Sequence, residues 1–306
     1  MTTAVLDQCP TAKPNPPEEL RSRLLAKGDK LQMLPAVATK ALAMAKNPNC
    51  SIGEFASVVE RDVKLASDIL RVTNSVFYGA RQPIISLQQA VVRLGFAHCR
   101  NVILAASLGS VMRRMPLSEA WMQAILWRHA VLTGMVNVRL NRMLNLGFNG
   151  EEFAAGLIHD VGRSLIGVVA PNHLISADPL DFEESGEFLE RERVVLRTDH
   201  CELGAWFMIH SKLPEPLVDV VRFHHDPSQA TENQKLVALT AVADDMANYL
   251  QRCDTAEGYQ PETNPAIDQL LGNNESARKR FTEEAVTQLG AVFQEANSGN
   301  QPFGLS

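Results

Sequence analysis

The sequence predicts an all-α protein. Apolar residues recur at steps of three and four along most of the chain, which is the spacing of one face of a helix. Sustained alternation of apolar and polar residues, which is typical of a strand, is almost missing from the sequence. Hydrophobic residues make up 45% of the 306 residues and charged residues 21%, which is an ordinary globular composition. We therefore expect a multi-helix fold with a substantial core.

In the first part of the chain, periodicity over 30–44 predicts a helix, and further periodic stretches follow helix-start signals. These signals are the capping-box pair Ser51 and Glu54 before a helix over 52–60, the N-cap Asp62, and a second capping-box pair, Ser86 and Gln89. Gly79 is expected just beyond the end of the helix that Asp62 begins.

The second part of the chain is also periodic. Helices are predicted over 119–140, 149–160, 183–195, 200–211, from Pro214 to about His224, over 233–251 and over 276–296. Gly162 is expected to end or bend the helix that carries His159 and Asp160. The stretch 171–180 is expected to be irregular, and 254–274 is rich in turn residues.

Composition and charge narrow the possible functions. The chain has 29 basic and 35 acidic residues and a net charge of −6, so nothing general favours binding to nucleic acid or to an anionic membrane. No apolar run approaches the roughly 20 residues of a spanning helix, and the beginning of the chain lacks a signal-peptide pattern. The five cysteines are dispersed without CxxC spacing. These features predict a cytoplasmic protein with reduced thiols.

Histidines and aspartates carry the main chemical signal, because they are spread over several predicted helices that could converge in a bundle. The candidate metal ligands are His129, His159, Asp160, His200, His224, His225 and Asp244. Imidazole and carboxylate together suit Fe, Mn, Zn or a similar ion. Neighbours in a helix differ in direction by about 100°. His159 and Asp160 could therefore bind one ion jointly, or two ions with the carboxylate between them.

Each candidate also has a purely structural explanation. A helix histidine such as His129 is often only partly buried and binds nothing. A histidine at a helix C-terminus, such as His224, is stabilised by the macrodipole when protonated. Asp160 could fix the tautomer of the neighbouring histidine. Asp245 could point inward in place of Asp244, which would then cap a helix or pair with a cation.

Several segments resemble a known family in their order along the chain. The upstream segments are "LPAVATKALAMAKNP", "VVERDVKLASDILRVTNSVFYG" and "ISLQQAVVRLGFAHCRNVIL". The downstream segments are "LWRHA", "AAGLIHDVGR", "DHCELGAWFMIHSKLPEPLVDVVRFHHDP" and "VADD". Between Leu31 and Met246 the chain resembles the HDOD (HD-related output) domains of bacterial signal-transduction proteins. These domains belong to the HD and HD-GYP superfamily of metal-dependent phosphohydrolases.

The resemblance implies that an N-terminal helical subdomain packs on an HD-like helical bundle. The expected boundaries are a flexible tail over 1–19, the N-terminal helical part over 20–115, the HD-like part over 116–252, an irregular connection over 253–275, and a C-terminal helix and tail over 276–306.

The resemblance also implies one or two divalent ions, which could be Fe, Mn, Zn or Mg. His159 and Asp160 would be the core ligands. His129 and Asp244 would complete the ligand set of one ion, and His200, His224 and His225 would bind a second ion.

Three departures from the HD-GYP pattern speak against hydrolysis. Arg163 stands where those enzymes carry a lysine, although arginine could still hold a phosphate. The GYP loop is missing, because Asp226-Pro227-Ser228-Gln229-Ala230 follows His225. Ile125 replaces an acid that some HD-GYP sites place before the first histidine.

The resemblance therefore implies a non-catalytic output module that acts through contacts with signalling proteins. The alternative is a metal-dependent phosphohydrolase, a phosphodiesterase acting on a nucleotide or cyclic dinucleotide, in which Asp160 and Arg163 would be catalytic. A third hypothesis is a sensor that binds a nucleotide without hydrolysing it.

Overall fold

The structure is a computed structural model that describes residues 15–45, 47, 49–74, 82–184 and 187–298. The described residues form α-helices joined by turns and short 3-10 helices, without a β-strand, so the predicted all-α class is confirmed. The helices are α1 (Glu18–Leu25), α2 (Ala36–Met44), α3 (Ile52–Val59), α4 (Val63–Thr73), α5 (Leu87–Met112), α6 (Ala120–Leu144), α7 (Glu151–Ile158), α8 (Val161–Val169), α9 (Pro171–Ala177), α10 (Phe188–Leu196), α11 (His200–His210), α12 (Glu215–Phe223), α13 (Gln234–Cys253), α14 (Ile267–Leu271) and α15 (Glu275–Asn297).

Local side-chain caps account for where α3, α4 and α5 begin. The Ser51 hydroxyl accepts a hydrogen bond from the Glu54 backbone N–H, and the Glu54 carboxylate accepts one from the Ser51 N–H, so the predicted capping box opens α3. The Asp62 carboxylate caps α4 as predicted. The Ser86 hydroxyl caps α5, but the predicted capping box with Gln89 is incomplete, because the Gln89 side chain accepts from the Ile85 N–H. Gly79 lies outside the described residues.

The helix α5 connects the upstream helices to the HD-like bundle. It is kinked at Gly95, whose φ of 79° favours a residue without a side chain. Its length and composition alone would let it cross a membrane, but 56% of its most apolar window is buried inside the protein. Core packing therefore accounts for its apolar character.

Two pairs of helices approach so closely that only glycine fits between them. A Cβ atom added at Gly162 on α8 would lie 1.9 Å from the carbonyl oxygen of His200 on α11. A Cβ atom at Gly156 on α7 would lie 2.5 Å from the Cα atom of Gly134 on α6. Backbone contact at these glycines brings together the helices that carry the predicted ligands.

Two local predictions are wrong. Gly162 is the second residue of α8, two positions after Asp160, and does not end a helix. Its role is close packing, which a sequence cannot distinguish from helix termination. The stretch 171–180 is not irregular throughout, because Pro171 opens α9. Proline is well suited to a first helical turn, since it has no N–H to leave unpaired and its φ is already helical.

The C-terminal helix α15 buries the apolar face that its periodicity predicts. Phe281, Ala285, Leu289 and Val292 are all buried, and Phe293 packs on the core from a partly buried position. The preceding stretch, predicted to be rich in turns, also contains the short helix α14. The bundle around α6 is thereby completed by a helix downstream of the predicted ligands.

Candidate metal centre

The predicted ligands converge on two adjacent groups in the bundle core. In the first group, the Nε2 atoms of His129 and His159 lie 3.2 Å apart. They lie 3.0 Å and 3.3 Å, respectively, from Oδ1 of Asp244. The long helices α6 and α13 therefore supply one ligand each, and His159 follows α7 directly.

In the second group, Nε2 of His200 lies 3.4 Å from Nε2 of His224 and 3.2 Å from Nε2 of His225. His200 is the first residue of α11, and the other two histidines directly follow α12. The Cys201 thiol lies 3.4 Å from Nε2 of His200, and burial raises the pKa of that thiol to about 12.

Asp160 lies between the two groups. Its Oδ2 atom is 3.7 Å from Nε2 of both His129 and His159. Its Oδ1 atom is 3.3 Å from Nε2 of His200 and 3.4 Å from Nε2 of His224. One carboxylate therefore presents an oxygen to each group, which is the bridging arrangement that the sequence left open as one of two possibilities.

Hydrogen bonds at Nδ1, the ring nitrogen that faces away from the cluster, orient three of the histidines. Nδ1 of His159 lies 2.8 Å from the carbonyl oxygen of Gly156, and Nδ1 of His200 lies 2.8 Å from the Glu192 carboxylate. Nδ1 of His224 lies 3.1 Å from the carbonyl oxygen of Val220. These acceptors assign the proton to Nδ1 and leave the Nε2 lone pair facing inward, as metal-binding histidines require.

The donor set fits a cation. In the three histidines whose Nδ1 donates, a neutral ring presents Nε2 to the interior as an acceptor, and the buried Oδ1 atoms of Asp160 and Asp244 then have no hydrogen-bond partner. Facing acceptors repel one another unless a proton or a metal ion lies between them. A set of five imidazoles and two carboxylates suits Fe, Mn or Zn better than Mg, which prefers oxygen ligands.

The carboxylates of the site are ionised. Burial alone would raise the pKa of Asp160, but the Arg163 guanidinium and His159 hold it well below its usual range. His159 and His129 likewise hold the pKa of buried Asp244 well below its usual range. Against the effect of burial, these two carboxylates raise the pKa of His159 to about 9. The core therefore holds negative charge that protons or metal ions must offset.

Arg163 is a buried cation beside this cluster, with no exposed surface. Its Nη1 atom donates to Oδ2 of Asp160 over 2.7 Å and lies 3.0 Å from the Glu184 carboxylate. Its Nε atom donates to the Asp178 carboxylate over 2.8 Å. The guanidinium also faces the rings of two phenylalanines, with the Phe188 centroid 4.8 Å away. Acidic groups of the protein itself thus surround this guanidinium.

Residues 178–184, which we call the closing segment, cover the first group. The Phe182 ring stacks on the His129 ring with the centroids 4.6 Å apart. Leu180 and Phe182 adopt left-handed backbone conformations, with φ of 56° and 59°. Non-glycine residues adopt these conformations at a cost, and such positions tend to occur where surrounding contacts hold them. Here Arg252 donates a hydrogen bond to the Phe182 carbonyl oxygen, and Arg163 holds Asp178.

A cavity of about 540 Å³ leads to the other side of the cluster. His224, His225 and Asp244 line its inner end. The ionisable groups around it are the carboxyl groups of Glu184, Asp226, Asp244 and Asp245 and the guanidinium of Arg252. Burial and the neighbouring Asp244 raise the pKa of Glu184 to about 8, so the negative charge comes mainly from the three aspartates. Carboxylates outnumber cations there, so the cavity favours an incoming cation over a free phosphate.

The structure places all seven predicted ligands together and brings Asp244 into the cluster. Asp245 points elsewhere, where its carboxylate accepts hydrogen bonds from Tyr259 and Asn264. Sequence reasoning missed Glu184 in the closing segment and Glu192, which orients His200. Both lie between the recognised motifs in a stretch rich in acidic residues, so no spacing singled them out.

Comparison with known proteins adds findings on family and fold. A model of the HDOD domain family matches residues 31–227, which include every predicted ligand except Asp244. An uncharacterised protein of Treponema pallidum (strain Nichols) is 24% identical over 227 residues. That match covers 72% of this chain but 44% of the relative, so the chain spans less than half of that relative's length.

Two solved structures share the fold. An HDOD domain protein of unknown function from Geobacter sulfurreducens gives a TM-score of 0.69 at 23% identity, covering 92% of this chain and 98% of that one. A candidate phosphohydrolase from Shewanella amazonensis SB2B gives a TM-score of 0.65 at 21% identity, covering 90% and 98%. At these identities the likeness shows the all-α architecture alone. The chemistry has to be inferred from the residues of the site.

Proposed function

The chain belongs to the HDOD domain family, and from this premise we propose that it is a cytoplasmic, non-catalytic output module of bacterial signal transduction. In this proposal the histidine–aspartate cluster binds divalent metal as part of the folded domain. The domain acts on signalling proteins through surface contacts, and the cluster does not hydrolyse a phosphate ester.

The surroundings of Arg163 carry this proposal. In the phosphohydrolase alternative, this side chain is the cation that would hold a substrate phosphate. Here it is buried, and its donors are directed to Asp160, Asp178 and Glu184. A phosphate could reach it only by displacing carboxylates that are held in a low-dielectric interior. The guanidinium therefore stabilises the fold and does not bind a substrate.

The metal-binding part of the proposal rests on the two groups joined by Asp160. His129, His159, Asp244 and Oδ2 of Asp160 would hold one ion, and His200, His224, His225 and Oδ1 of Asp160 would hold the second. A bound divalent ion in such a site lowers the pKa of coordinated water and offsets nearby negative charge. The closing segment covers the first group with the Phe182 ring, which keeps that side of the cluster away from solvent.

The second candidate function is a metal-dependent phosphohydrolase acting on a nucleotide or cyclic dinucleotide. The observation that favours it is the bridging position of Asp160, because pairs of metal ions a few ångströms apart serve many phosphate-cleaving enzymes. The cavity at His225 and Asp244 would be the route for its substrate. The acidic lining of that cavity is the observation against it.

A turnover assay distinguishes the two functions. We expect protein loaded with Mn²⁺ or Fe²⁺ to release no more product from bis(p-nitrophenyl) phosphate or a cyclic dinucleotide than the Asp160→Asn variant does. The physical reason is that Arg163 is already held by carboxylates of the protein. Product would be followed by absorbance and by chromatography. Saturable, metal-dependent turnover that Asp160→Asn abolishes would favour the phosphohydrolase and contradict the output module.

A further inference from the structure

A second cavity, separate from the metal centre, lies between the upstream helices and the HD-like bundle. Its volume is about 760 Å³, within the range of roughly 300–1,000 Å³ that is typical of small-molecule sites. Residues of α2, α5, α7, α12 and α13 line it. None of its lining residues belongs to the metal cluster.

The walls of this cleft are mainly apolar. Its principal apolar lining residues are Leu34, Leu42, Leu104, Phe148, Leu217 and Leu236. Two of them, Leu217 and Leu236, are also part of the buried core, so the cleft lies directly against the core. An apolar surface of this shape gains free energy when an apolar body displaces water from it.

Its charged lining residues are predominantly cationic. Arg100, Lys212 and Lys235 line the cleft, and none of them forms an ion pair with a carboxylate among the described residues. Arg100 donates only a long hydrogen bond, 3.4 Å, to the Asn101 side chain, and Lys235 donates to the carbonyl oxygen of Leu146. The single acid in the lining, Glu151, already accepts hydrogen bonds from Asn101 and from the Asn149 backbone.

Helix N-termini add to the positive potential of the cleft. Pro214 and Pro216 at the start of α12, and Gln234 and Lys235 at the start of α13, are among its lining residues. Neither helix has a side-chain cap at its N-terminus. Helix N-termini carry partial positive charge and favour anions. An apolar cavity with these cations therefore matches an amphipathic anion in both shape and charge.

We propose that this cleft binds a small amphipathic organic anion, with its apolar body against the leucine-rich wall and its carboxylate or phosphate facing Arg100, Lys212 and Lys235. The proposal goes beyond the output function and does not depend on whether the cluster binds metal. The helix α12 begins at this cleft and ends at His224 in the cluster, so it connects the two sites.

Decanoate is a suitable probe because it joins an apolar chain to a carboxylate. We expect saturable binding of one decanoate per chain by isothermal titration calorimetry, and no such binding of decyltrimethylammonium, which has the opposite charge. Arg100→Glu and Lys235→Glu should each weaken decanoate binding about ten-fold, the loss of one charge-assisted contact. Lys279→Glu, an equal charge change on the exposed face of α15, should leave the affinity unchanged.

A steric variant keeps the test independent of charge. Ala43 is exposed and lines the cleft, so Ala43→Trp should fill the cleft without disturbing the core and should abolish decanoate binding. The proposal is overturned if wild-type protein shows no saturable binding, or if binding survives both Ala43→Trp and the charge reversals. Absence of binding together with a change of oligomeric state in Ala43→Trp would assign the cleft to a second copy of the chain and would also overturn it.

Discussion

Replacing Arg163 with methionine is expected to lower the free energy of unfolding by about 3–5 kcal/mol. Methionine keeps much of the volume but removes the guanidinium that Asp160, Asp178 and Glu184 share. The Asp160 and Asp178 carboxylates would then be buried without their cation, and burying an unpaired charge costs far more than an exposed ion pair contributes. Urea unfolding followed by circular dichroism measures the effect.

The control for this prediction is Arg191→Met, the same chemical change at an exposed position of α10. It should change the free energy of unfolding by no more than about 0.5 kcal/mol. Adding Asp178→Asn to the Arg163→Met variant should recover part of the loss, because it removes one of the unpaired carboxylates. If Arg163→Met lowered the free energy of unfolding no more than the control does, the ion pairs of this guanidinium would not stabilise the fold.

Gly162→Ala is expected to cost about 3 kcal/mol of unfolding free energy, at the upper end of typical overpacking effects. The added Cβ atom would meet the His200 carbonyl oxygen at 1.9 Å, and a backbone atom cannot move aside as a flexible side chain would. The helices α8 and α11 would have to separate, and the distance between Asp160 and His200 would increase with them. Thermal and urea unfolding measure the stability, and metal content measures the effect on the cluster.

Gly53→Ala is the matched control for this substitution. Gly53 lies in α3, and a Cβ atom there has no neighbour within 4 Å. Alanine is the better helix former, so this variant should be more stable than wild type by up to about 1 kcal/mol. The close-packing account of Gly162 is wrong if both glycine-to-alanine variants have the same stability as wild type.

The sequence was sufficient to predict most of the helices and the seven residues that lie together in the bundle core. Start signals such as the Ser51–Glu54 capping box act between residues that are near in sequence, and they appear in the structure as predicted. The ligands could be proposed because their order along the chain resembles a family pattern. In the structure they come together in the bundle core, on either side of Asp160.

The surroundings of Arg163 could not be predicted in the same way. Its partner Glu184 lies in the closing segment, whose path depends on left-handed backbone at Leu180 and Phe182. Large apolar residues rarely adopt that conformation, so no sequence rule anticipates it. Gly162 was misinterpreted for a related reason: the backbone that it contacts, at His200, is distant in sequence. Both features are tertiary contacts, which local sequence patterns do not encode.

The metal content of the purified protein tests the central claim most directly. Wild-type protein, Asp160→Asn and Asp245→Asn would be purified without chelator and analysed by inductively coupled plasma mass spectrometry. Asp245→Asn is the matched control, because the neighbouring carboxylate points away from the cluster towards Tyr259 and Asn264. We expect about two ions of Fe, Mn or Zn per chain in wild type and in the control. Asp160→Asn should lose most of both ions, because this carboxylate contacts both groups. Equal metal content in all three proteins, or none in wild type, would contradict the account.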